Sequence, residues 1–83
     1  MNKYQLLLKK WIDKNFEDVM ITFEEDKIAV ITDYKQDTMR ITLNEYYDII
    51  EIDTDKVLAV SDLDHEEILD NIIPQTWREL PYR

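Results

Sequence analysis

The chain has 83 residues, ten Lys or Arg, nineteen Asp or Glu, no Cys and no Gly. That length allows one small domain, which buries only about 60–65% of the surface its unfolded form exposes. The missing cysteines exclude a disulfide framework and thiolate metal ligation. The opening MNKYQLLLKKW holds too short an apolar run for a signal peptide or a membrane span, which predicts a cytoplasmic protein without membrane contact.

The formal charge of −9 is unevenly spread. Residues 1–14 carry four lysines against Asp13, a local +3, so residues 15–83 carry −12. An acidic body repels phosphate, so direct nucleic-acid binding is not expected. A basic protein surface is the partner that such a body attracts. A second copy of the chain, offering its own basic segment, is the other candidate.

Residues 2–15 read as an amphipathic helix. Tyr4, Leu7, Leu8, Trp11 and Ile12 fall on one stripe, Asn2 is a plausible N-cap, and Gln5 completes a capping box. Lys3, Lys10, Asp13 and Lys14 lie opposite, with Leu6 among them. Leu6, Lys10 and Lys14 are therefore the candidate oligomer contact.

Residues 18–60 read as an antiparallel meander of four or five strands, because β-branched and aromatic runs alternate with charged clusters at turn spacing. In residues 18–24, Val19, Ile21 and Phe23 mark the inward face. Glu25 and Asp26 reverse the chain into residues 27–33, which are apolar on both faces and predict a central strand covered on both sides. Residues 34–37 turn into residues 38–43, where Met39, Ile41 and Leu43 face in and Arg40 and Thr42 face out. Residues 46–53 are assigned to strand over helical turn, on the β-propensity of Tyr-Tyr and Ile-Ile. A short strand over residues 56–60 completes the sheet. Without glycine, Asp and Asn must serve the turns.

Residues 64–73 predict a second helix, capped by Asp64 with Glu67 at the box position, and with Leu63 placed to staple onto Ile68. Ile68, Leu69, Ile72 and Ile73 form its expected buried stripe, and Pro74 ends it. A tail over residues 74–83 brings Trp77, Leu80 and Tyr82 to dock on the body. The whole is one α+β domain spanning residues 1–83.

No chemical motif for catalysis emerges. Asp53, Asp55 and Asp64 have the outer spacing of a calcium loop, but Val57 and Leu58 occupy its ligand and glycine positions. The acidic run around the single His65 is explained by a helix start, whose positive dipole end favours carboxylates. His65 falls on the side of Ile68 and Leu69, which predicts partial burial. Ser61 is the only serine and has no activating partner, so neither an enzyme nor a cofactor is expected.

The remaining readings are a small acidic protein-binding inhibitor and a structural or assembly module, with a small metal-dependent enzyme kept only for contrast. Asp48, Glu51, Asp53 and Asp55 around the fourth strand, with Glu66, Glu67 and Asp70 on the second helix, are the candidate partner-binding residues. In size, charge and α/β build the chain is similar to small acidic proteins that phages and other mobile elements encode to block host enzymes. Some anti-CRISPR and DNA-mimic inhibitors, and bacteriocin immunity proteins, are of this kind. That resemblance implies a target with a basic, nucleic-acid-binding surface and transfers no site residue.

Overall fold

The computed structural model describes residues 1–80. One helix, α1 (Lys3–Asn15), lies on a six-stranded sheet of β1 (Met20–Glu25), β2 (Ile28–Thr32), β3 (Thr38–Leu43), β4 (Ile49–Glu51), β5 (Lys56–Ser61) and β6 (Trp77–Glu79). A short second helix, α2 (His65–Leu69), joins β5 to β6. The strands pair antiparallel in sequence order, a plain meander with β1 and β6 as its edges. The sixth strand is the tail around Trp77, one strand more than the sequence predicts.

The capping box of α1 is present in full: the Asn2 side chain accepts from the Gln5 amide, and the Gln5 side chain accepts from the Asn2 amide. Leu7, Leu8, Trp11 and Ile12 are buried along the predicted stripe. They meet Ala29, Ile31, Ile41, Leu43, Ile49 and Ala59 from the facing side of the sheet. Ile41 is fully buried and Phe23 half-buried, so the predicted register of β1 and β3 holds. Trp11 Nε1 donates to Glu79 Oε1 at 2.9 Å, which ties α1 to the β6 edge.

Among the described residues no helix lies on the other sheet face. Cross-strand pairing places Thr22, Val30, Arg40, Thr42, Ile50, Val57, Val60 and Arg78 on it, and none of them is buried. The expected second cover for β2 is thus not formed within the described residues. An antiparallel sheet can leave one face to solvent, and this one does.

Residues 46–53 are mostly not strand. The β3–β4 loop spans residues 44–48, because Asn44 Oδ1 accepts from the amides of Tyr46 and Asp48, both at 2.9 Å. The same device forms the β2–β3 loop, where Asp33 Oδ1 accepts from Lys35 and Asp37. In each loop a non-glycine residue takes the left-handed conformation, Gln36 at φ 70° and Tyr47 at φ 64°. A local side-chain bond to backbone outcompetes β-propensity at these positions.

The second helix is also shorter than predicted. Its capping box forms as expected between Asp64 and Glu67, but Asn71 at φ 62° follows directly after the helix ends. Leu63 and Ile68 pack half-buried against the core, whereas Leu69, Ile72 and Ile73 are exposed. Pro74 and Trp77 are buried, so the tail docks through them, whereas Leu80, just past the end of β6, is exposed. Beyond Leu80 the tail, Tyr82 included, lies outside the described residues.

Candidate functional site

A meander alternates its reversals between two ends of the sheet. Asn2 Nδ2 donates to the Asp26 carbonyl at 3.1 Å, so the N-terminus of α1 stands over the β1–β2 turn. The β3–β4 loop and α2 belong to that same end. The β2–β3 loop and the β4–β5 turn belong to the opposite end, beneath the C-terminus of α1.

This topology divides the candidate acidic residues into two groups. Glu51, Asp53 and Asp55 sit at the β4–β5 turn, while Glu66, Glu67 and Asp70 sit on α2. The length of β5, about 17 Å at strand rise, separates them. That exceeds the roughly 8–10 Å over which exposed charges act at physiological ionic strength, so they do not form one field.

Several members are also engaged internally. Asp48 accepts from the Ser61 amide at 2.9 Å and from Asn44 at 3.2 Å, holding the β3–β4 loop against β5. Asp53 lies 3.7 Å from Arg40, whose guanidinium also holds Glu24 at 2.8 Å. The hydrogen bond to Glu24 comes first among the effects that raise the Arg40 pKa. Glu51 stands across from Lys56 in the β4–β5 ladder. Glu67 closes the α2 capping box. Among the candidate acids, Glu66 and Asp70 are exposed beside the apolar side chains of α2.

The α2 end forms the more coherent surface. Leu69 is 80% exposed, with Ile72 at 45% and Ile73 at 39%. Asp62, Asp64, Glu66, Glu67 and Asp70 belong to the same segment of chain, and residues 57–77 contain no Lys or Arg. The adjoining β3–β4 loop adds Tyr46, whose ring lies 4.6 Å from that of His65. The carboxylate of Glu45, ahead of partial burial, raises the Tyr46 phenol above its ordinary pKa.

Hydrogen bonds fix the corner to the sheet. Trp77 Nε1 donates to the Tyr47 carbonyl at 2.8 Å, and Ser61 Oγ donates to the Tyr46 carbonyl at 2.7 Å. Thr76 Oγ1 bonds Asp62 at 3.1 Å, closing the base of the α2 segment. His65 is exposed, contrary to the burial predicted from its helical phase, because α2 ends after little more than one turn.

Comparison with protein-family models, curated proteins and solved structures finds no match.

The apolar patch escapes sequence reasoning because its helical spacing reads as a buried stripe. Asn71 carried the contrary signal, since asparagine commonly takes the left-handed position that ends a helix. The candidate contact on α1 sits elsewhere. Leu6 is 53% exposed on the outward face of α1, with Lys10 and Lys14 exposed along the same helix. Among the described residues no helix is long and apolar enough to cross a membrane.

Proposed function

We propose that the protein is an acidic protein-binding module whose docking surface is the α2 corner. Its partner is a basic protein that presents apolar side chains among its positive charges. The observation that carries this reading is the exposure of Leu69, Ile72 and Ile73 inside a stretch with five carboxylates and no Lys or Arg. A protein interface is typically built this way, with an apolar centre that is desolvated and a polar rim that selects the partner. The carboxylates steer encounter, and the aliphatic side chains supply contact area.

An inhibitor that occupies a nucleic-acid-binding groove is the form of this activity that the charge suits best. Such a groove is basic, and an acidic protein competes with phosphate for it. The alternative reading is an assembly module, favoured by Leu6 standing exposed on the basic face of α1.

Affinity capture at low and moderate salt tests the proposal. Wild-type protein should recover one basic protein, with recovery falling as salt screens the exposed charges. Leu69→Ser combined with Glu66→Gln and Asp70→Asn should abolish recovery. Glu51→Gln, Asp53→Asn and Asp55→Asn at the far end of β5 should leave it intact. Binding lost only in the second set would move the surface to the β4–β5 turn. Recovery of the chain alone would favour the assembly module.

A further inference from the structure

We infer that the helix-free face of the sheet is a self-association surface, on which a second copy of this chain packs sheet against sheet. The face has a continuous row of β-branched side chains. Ile28 pairs with Thr42, Thr42 with Ile50, and Ile50 with Val57, so the row crosses β2 to β5 in register. Thr42 Oγ1 donates to the Lys27 carbonyl at 2.7 Å, which satisfies the hydroxyl and leaves its methyl group in the row. Val30 and Val60 extend the apolar area to either side.

Charge identifies the occupant. The body is strongly acidic, yet this face is close to balanced: Glu24, Glu25 and Asp53 stand around Arg40, and Arg78 stands on β6, a net −1. Two copies that each carry −9 repel through most of their surface, and this nearly neutral face is where that repulsion is smallest. Glu24 lies on the β1 edge and Arg78 on the β6 edge. A two-fold axis along the strands lays each β1 over the partner's β6 and sets the acidic edge against the basic one.

Area sets the strength. Six strands at about 4.8 Å spacing and about 17 Å of strand length give a footprint on the order of 500 Å² per copy. Two such faces bury roughly 1,000 Å², the lower bound for a specific interface, which corresponds to a weak, reversible dimer. Packed sheets lie about 10 Å apart, a spacing that β-branched side chains fill.

Sedimentation equilibrium from about 10 µM to 1 mM tests the inference, since weak dimers dissociate in that range. The wild type should pass from monomer to dimer, and added salt should strengthen the dimer by screening the repulsion between acidic bodies. Binding of a basic partner at α2 responds to salt in the opposite sense, so the two ideas fail separately. Ile50→Lys should abolish the dimer while circular dichroism reports a folded chain. Arg78→Glu, on the exposed edge, should weaken dimerisation at least tenfold and serves if the first variant does not fold. A monomer throughout the range overturns the inference. So does a dimer unaffected by the folded variants, or one that salt dissociates, which would place α1 lysines against α2 carboxylates.

Discussion

Trp77→Phe should destabilise the protein by about 1–3 kcal/mol, because it removes the indole N–H that the Tyr47 carbonyl accepts in a buried setting. Phenylalanine also lacks the five-membered ring, so the cost combines a small cavity with the carbonyl left without its donor. Trp77→Ala removes the ring as well and should cost about 3–5 kcal/mol. An 83-residue domain has only about 4–12 kcal/mol in total, so the alanine variant stands near the limit of folding. Urea unfolding followed by circular dichroism measures both, with the slope expected to stay constant and the midpoint to fall. Trp11 remains as a fluorescent probe of the α1 interface. A phenylalanine variant within about 0.5 kcal/mol of wild type would refute the reasoning, since surface substitutions fall in that band. The β6 pairing would then be a peripheral contact, and the β3–β4 loop would be held to β5 by Ser61 and Asp48.

Two further substitutions probe the framework. Ile41→Ala empties a fully buried position beneath α1 and should cost about 2–5 kcal/mol in the same urea assay. Gln36→Gly should raise the melting temperature, because a left-handed residue with a Cβ costs about 1–2 kcal/mol and glycine's greater unfolded-state entropy offsets only part of that.

The parts of the fold written in long periodic segments were legible. The α1 stripe from Tyr4 to Ile12, the alternation of Met39, Ile41 and Leu43, and both capping boxes depend on neighbours within one element. The parts decided by single residues were not. Asn44 turns a Tyr-Tyr pair with high β-propensity into a loop, and Asn71 stops α2 before Ile72 and Ile73 can face the core. The tail became a strand because β5 offered an open edge, which no local pattern in residues 77–79 encodes. The acidic residues were visible as letters, but their separation by the length of β5 depends on strand order. The open sheet face was half visible: Ile28 to Ile31 read as apolar on both sides, and the missing cover could be known only from where α2 goes.

The central claim is that a basic partner docks on the apolar side chains of the acidic α2 corner. Hydrogen–deuterium exchange on the complex with the captured partner tests it most directly. Protection should appear across residues 62–73 and extend to the loop around Tyr46, with residues 52–56 exchanging as in the free protein. Protection confined to residues 52–56, or to the outward face of α1, would contradict it.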